Sequence, residues 1–152
     1  MNSDIYYMRK AMQQAEIAAE KGEVPVGALL ITADAREFVA HNAPISTDDA
    51  SAHAEMRVIR EACRQTGNYR LTGSTLYVTL EPCMMCAGVI VHARISRVVY
   101  AASDAKTGAV ESLYRVLTDE RLNHQPEITA GVMAEESSTL LKSFFKSRRK
   151  KS

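Results

Sequence analysis

Three side chains of kinds that metals favour stand at telling intervals in this chain. Cys83 and Cys86 are three apart in EPCMMCAGVIVHAR, directly after Pro82, and His53 opens the segment HAE, with Glu55 two positions on. A proline suits the start of a helix, so Pro82 carries both cysteines into a first turn. There their sulfurs share one face, and free amides and the helix dipole favour thiolates over thiols. That arrangement serves metal binding and thiol–disulfide exchange alike, because redox motifs also set CxxC after a strand in α/β folds. His53 shifts the balance toward a metal: one histidine and two cysteines are three ligands of the kind zinc takes.

Three ligands with an open fourth position describe a catalytic zinc, whereas a fourth protein ligand would close the site and make it structural. Cys63 lies ten residues beyond His53, about 15 Å along a helix, and reads as core. His92, six residues past Cys86, turns away from the ligand face. His41 and His124, near strand ends or in loops, stay open as a closing ligand; that outcome would describe a zinc-stabilised RNA-binding module without catalysis. With an open site, Glu55 gains a role as the carboxylate that takes a proton from a metal-activated water. Positions two apart on a regular helix point to nearly opposite sides, so this requires His53 and Glu55 to straddle the first turn.

The elements that must position these residues follow from periodicity. Residues from about 3 to 21 repeat apolar side chains at helical spacing and stop at Gly22. Val26 to Thr32 reads as a buried strand, joined through ADARE to a second, EFVAHN, as a hairpin. After the loop APISTDD, Asp49 or Ser51 can cap a helix running from Ala52 to Gln65, and Gly67 ends it. Ser74 to Leu80 is a β-branched strand ahead of the cysteine helix. Ser96 to Ala102 is another strand, EITAG a short one, and Met133 to about Arg149 a final helix with Leu140, Leu141, Phe144 and Phe145 turned inward. Strands separated by helices predict an α/β layered domain with helices on both faces of one sheet, which the opening hairpin makes mixed.

Composition bounds the class. The chain has 152 residues, 46% hydrophobic and 24% charged, ordinary for one globular domain. No low-complexity linker or internal repeat divides it. The amphipathic amino-terminal stretch excludes a signal peptide's apolar core, and the longest nearly apolar run, VPVGALLI, is too short to span a bilayer. An odd cysteine count without a secretory signal argues for reduced thiols, so a cytoplasmic, non-membrane protein is expected. Six bases (Lys142, Lys146, Arg148, Arg149, Lys150, Lys151) have no acid among them, and the rest of the chain carries 13 bases against 18 acids. A basic tail on a mildly acidic body fits one local anionic contact, or a solvated terminus.

HAE followed by PCMMC matches the H-x-E…P-C-x-x-C signature of zinc nucleobase deaminases. Over nearly its whole length the chain resembles the bacterial tRNA adenosine deaminases of the cytidine deaminase-like superfamily. The resemblance runs from EVPVGA at Glu23 through Asn42, Pro44, HAE, EPCMMCAGVIVHARISRVVYAASDAKTGA and LNHQPEIT to FFKSRR. It implies a single zinc-dependent deaminase domain over residues 1–152, a three-layer α/β/α sandwich with a mixed five-stranded sheet. It further implies one Zn2+ per subunit on His53, Cys83 and Cys86, with Glu55 shuttling protons. Zinc-activated water would convert the wobble adenosine of a tRNA anticodon stem-loop to inosine, releasing ammonia.

By the same resemblance, Asn42 reads the purine edge while Val26 and Ala54 help form the pocket. Asp104, Lys106, Asn123 and His124 belong to loops that hold splayed anticodon nucleotides, and Phe144, Phe145, Arg148 and Arg149 lie on the terminal helix beside them. A homodimer is implied, its partner chain lining the RNA site. From the residues alone, Phe144 and Phe145 fit base stacking or the buried face of an amphipathic helix equally. The sequence departs from the family in DDASAHAE, where Ala50 and Ser51 replace the customary proline and threonine, removing a rigid residue from that loop. The alternative within the superfamily, a deaminase of free guanine or cytosine or of a nucleoside, is opposed by FFKSRRKK, DAKTGA and LNHQPEIT.

Overall fold

A computed structural model describes residues 2–151. Met1 and Ser152 of the expected domain, and the side chains of Lys150 and Lys151 in the basic tail, lie outside the described residues. The elements are α1 (Asn2–Glu20), β1 (Gly27–Ile31), β2 (Glu37–His41), α2 (Pro44–Thr47), α3 (Ala54–Thr66), β3 (Thr75–Leu80), α4 (Met84–His92), β4 (Arg97–Ala102), β5 (Glu127–Ala130) and α5 (Ala134–Lys151). Gly22 and Gly67 follow α1 and α3 at φ values of 77° and 67°, the left-handed conformation that ends helices without a Cβ penalty.

The five strands form one mixed sheet in the order β2-β1-β3-β4-β5. The β1–β2 hairpin is antiparallel with Gly27 opposite His41, and β1 also pairs antiparallel with β3. From β3 onward the strands are parallel, Thr75 beside Arg97 and Arg97 beside Glu127. Side chains alternate across the pleat. Ala28, Leu30, Leu76, Val78, Val98 and Tyr100 meet Val58, Ile59 and Ala62 of α3 and Ala87 and Ile90 of α4. Leu29, Tyr77, Val99 and Ala101 meet Met8 and Ala11 of α1, with Val132 and Met133 at the entry to α5 packed alongside. This is the expected three-layer α/β/α architecture.

Three details differ from the sequence reading. The loop after β2 contains the short helix α2, which rests on a contact from Glu23 described below. The N-cap of α3 is His53, without a side-chain cap; Asp49 instead accepts from the amide and hydroxyl of Ser51, at 2.9 and 2.8 Å, tightening the turn ahead of it. On α5, Leu140, Leu141 and Phe144 are only half-buried and Phe145 is 43% exposed. The fully covered contact of that helix is polar: Ser137 Oγ donates to the carbonyl of Thr79 at 2.5 Å. The final helix therefore has its buried seam on the sheet near its start, and Arg148 and Arg149 near its other end are exposed.

Candidate metal-dependent active site

His53 and Cys83 each sit one residue ahead of a helix in extended backbone (φ −70°, ψ 152° and φ −78°, ψ 177°). Ala54 and Glu55 then occupy the first two positions of α3, and Cys86 the third of α4. A ligand just outside the helix and a carboxylate just inside it do not obey helical spacing, which is how His53 and Glu55 straddle the first turn. Both helix starts are positive dipole ends, and they converge beyond the carboxyl end of β3, where open α/β sheets build their sites.

His53 Nδ1 lies 3.5 Å from both Cys83 Sγ and Cys86 Sγ. One ligand atom from each of the three falls within 4.8 Å of the others. Tetrahedral zinc with ordinary Zn–S and Zn–N bonds separates such atoms by about 3.5 Å, so the residues fit that ion. Neither histidine left open joins them. His41 Nδ1 faces Gln14 Oε1 at 3.4 Å, and His124 Nε2 meets the carbonyl of Ile95 at 2.6 Å. Cys63 and His92 also stand outside the group.

The electrostatics centre on one thiolate. A hydrogen bond from Cys86, with His53 adding to it, draws the Cys83 thiol down to about 4 against the cost of burial. The Cys86 thiol is pushed upward by its hydrogen bond to Cys83 and by burial. His53 is raised by its hydrogen bond to Cys83. Glu55 is 4% exposed, and burial pushes its carboxyl up to about 7, near the value at which a group both takes and returns a proton at neutral pH.

Of the pocket residues, Val26 and Ala54 are buried in one cluster beside the site. Asn42 is 9% exposed, its backbone N–H donating to the carbonyl of Val26 at 2.9 Å. Asp104 is engaged within its own loop, accepting from the Thr107 hydroxyl at 2.7 Å and the Lys106 amide at 3.1 Å, while the Lys106 side chain is exposed. Phe144 and Phe145 meet edge to face at 5.5 Å. Arg148 caps the Phe144 ring at 5.3 Å, and both Arg148 and Arg149 are exposed. Asn123 and His124 are not brought to the cluster within one chain. His124 is tied to Ile95, beyond the far end of α4, a helix of nine residues and so about 14 Å long.

Sequence reasoning missed two carboxylates. Glu23 and Glu81 are 1% and 2% exposed, flank the site, and take their hydrogen bonds from backbone amides. Glu23 accepts from Ser46 and Ile45 at 2.6 and 3.2 Å, fixing α2 just after Asn42. Glu81 accepts from the amides of Asp104, Val110, Glu111 and Ser112 at 2.8–3.0 Å and from the Ser112 hydroxyl. Burial alone would raise both acids, yet these donors hold them below the usual carboxylate range. The available signal was an acid beside proline or valine at the edge of an apolar run, in EVPVGALLI and TLYVTLEP.

An open His/Cys/Cys group with a buried glutamate at its side, on a mixed α/β/α sheet, defines a hydrolytic deaminase of the nucleobase-acting class. The chain belongs to the MafB19-like deaminase family, whose model matches residues 1–149. It is 48% identical to the tRNA-specific adenosine deaminase of Bacillus subtilis over 99% of this chain and 94% of that one. With the tRNA-specific adenosine deaminase of Haemophilus influenzae it shares 49% over 93% and 83%. A solved structure from work on A-to-I editing by tRNA:A34 deaminases superposes at a TM-score of 0.85, with 44% identity over 90% of this chain and 99% of that one. Guanine deaminase from Nitrosomonas europaea shares the fold at a TM-score of 0.78 and 17% identity, over 92% of this chain and 83% of its own. Among the described residues, no helix is long and apolar enough to cross a membrane.

Proposed function

We propose that this chain is a tRNA-specific adenosine deaminase that converts the wobble adenosine of an anticodon stem-loop to inosine, with release of ammonia. The observation that carries the reading is the convergence of His53, Cys83 and Cys86 beside buried Glu55, in a chain about half identical end to end to proteins of that name.

In this reading His53, Cys83 and Cys86 hold one zinc ion, which supplies Lewis acidity and lowers the pKa of water to about 7. Glu55 takes a proton from the attacking water and returns it to the departing nitrogen of adenine C6, so that the amine leaves as ammonia. Its burial keeps that proton exchange at neutral pH. Val26 and Ala54 wall the base, and Asn42 reads the purine edge. Lys106 and Asp104 on one side, and Phe144, Phe145, Arg148 and Arg149 on the other, hold the flanking nucleotides through stacking and phosphate contacts. Asn123 and His124, a helix length from the cluster of their own chain, serve the site of a second copy, so the working unit is a homodimer. A tRNA substrate places the enzyme in the cytoplasm, as one deaminase domain per chain.

The test is to incubate zinc-loaded protein with an anticodon stem-loop bearing adenosine at the wobble position, digest the RNA to nucleosides and quantify inosine, measuring solution mass on the same sample. Glu55→Ala should keep its zinc and lose about 10²–10⁴-fold in rate, the range for a general acid–base group. Full activity in that variant overturns the role of Glu55. No inosine from the wild type moves the assignment to a small-molecule deaminase, with guanine and cytosine tried next, and an active monomer overturns the dimer.

A further inference from the structure

Glu81 is a buried anion at which two functional segments meet. It lies two residues before Cys83, and its amide donates to the carbonyl of Ala102 at the end of β4, at 2.8 Å. Its carboxylate gathers the amides of residues 104, 110, 111 and 112 together with the Ser112 hydroxyl. The backbone on either side is zipped to the same loop: the amide of Ala109 donates to the carbonyl of Pro82 at 2.8 Å, and Cys83 bridges Gly108. No lysine, arginine or histidine pairs with Glu81 among the described residues. A buried carboxylate whose acceptor sites are filled by backbone amides fixes the backbone that supplies them.

The fit is tight from both sides. A Cβ added to Gly108 would lie 2.4 Å from Glu81 Cδ, 2.5 Å from its Oε1 and 2.6 Å from the carbonyl of Asp104, well inside contact distance, so a side chain there must push the loop off the carboxylate. The loop so held carries Asp104 and exposed Lys106, while the segment holding it carries Cys83. A displacement of one is therefore a displacement relative to the other.

We propose that Glu81 is a positioning residue for RNA: it sets the 104–112 loop against the metal-ligand segment, so that bound nucleotides and reacting base are registered to each other. The idea rests on the reading of the chain as an RNA-acting deaminase and adds a residue to it. Glu81→Gln preserves shape but replaces one oxygen by an NH2 that faces amides, leaving donors without acceptors. Gly108→Ala strains the same joint from the loop side with the carboxylate intact.

Both variants, with wild type as control, are assayed for zinc content, for kcat and KM on the anticodon stem-loop, and for stem-loop Kd by fluorescence polarisation in a Glu55→Gln background that cannot turn over. A displaced loop should raise KM and Kd by about tenfold or more, since misplacements near 1 Å can cost 10²-fold, with zinc stoichiometry unchanged. A double variant should lose much less than the sum, because both changes act on one joint. Folded, zinc-loaded Glu81→Gln with wild-type KM and Kd overturns the proposal. Should that variant fail to fold, wild-type KM and Kd in Gly108→Ala overturn it instead. A wild type that binds and edits no stem-loop overturns the functional reading itself, which the control separates from failure of the positioning role.

Discussion

The two ends of the parallel strands treat buried carboxylates in opposite ways. At the amino ends of β3, β4 and β5, Asp4 is 7% exposed and clasped by Arg97 through two bonds of 2.9 and 2.7 Å. The Tyr77 hydroxyl donates to it at 2.8 Å, and Thr129 shares the same guanidinium. At the carboxyl ends, Glu23, Glu55 and Glu81 are buried without a lysine or arginine salt bridge among the described residues. Arg97 draws Asp4 below its ordinary value, backbone donors do the same for Glu23 and Glu81, and Glu55, dominated by burial, rises to about 7. The paired acid ties three strands and a helix together, the amide-bound acids shape loops, and the acid with least compensation is the one proposed to carry a proton. Stability and chemistry are thus assigned to opposite edges of one sheet.

That contrast can be broken most forcefully at Arg97. Arg97→Ala takes from Asp4 its bidentate partner in a buried site, and losing one partner of a buried pair costs about 3 kcal/mol or more; urea unfolding should show that loss, with kcat/KM on the stem-loop unchanged while the protein is folded. A comparable fall in activity would mean that the two edges are not separate.

Acid sharpens the comparison with a smaller effect. Asp4 has a depressed folded pKa, so its stabilisation is present above the unfolded value near 4 and drains away as pH falls through the folded value. Unfolding free energy measured from pH 6 to pH 3 should decline, with a slope of at most about 1.4 kcal/mol per pH unit from this one group. Asp4→Asn should flatten part of that decline, with the other lowered acids, Glu23, Glu81, Asp49, Glu61 and Asp119, contributing to the remainder. An identical slope in the variant would mean that the ion pair contributes nothing to it.

The smallest stability effect is expected at the exposed aromatic of the last helix. Phe145→Ala should leave unfolding within about 0.5 kcal/mol of wild type, as surface changes do, while weakening stem-loop binding by about 1–3 kcal/mol if the ring stacks on a base. Unchanged RNA affinity would remove Phe145 from the binding surface.

Much of this was legible along the chain. Strand positions came from β-branched runs and helix ends from glycines, because both are local properties of φ and ψ. The metal group came from residue type and motif spacing. The inward face expected for α5 holds only in part, Leu140, Leu141 and Phe144 being half-buried and Phe145 exposed, because an apolar repeat records which residues prefer burial and not how much of the molecule covers them. Helix α2 was invisible since it depends on Glu23, more than twenty residues earlier.

By itself, then, the sequence determined the helices and strands, the three candidate ligands, and the presence of a glutamate beside one of them, since these depend on side-chain chemistry and short-range geometry. Tertiary structure alone decided that two helix starts meet at one strand end, that His41 and His124 stay away from the cysteines, and that Glu55 is buried. It also decided that Glu81 gathers a loop about thirty residues away. The physical reason is the same in each case: burial and hydrogen-bond supply depend on what the folded chain brings alongside, and no residue carries that information in its own neighbourhood.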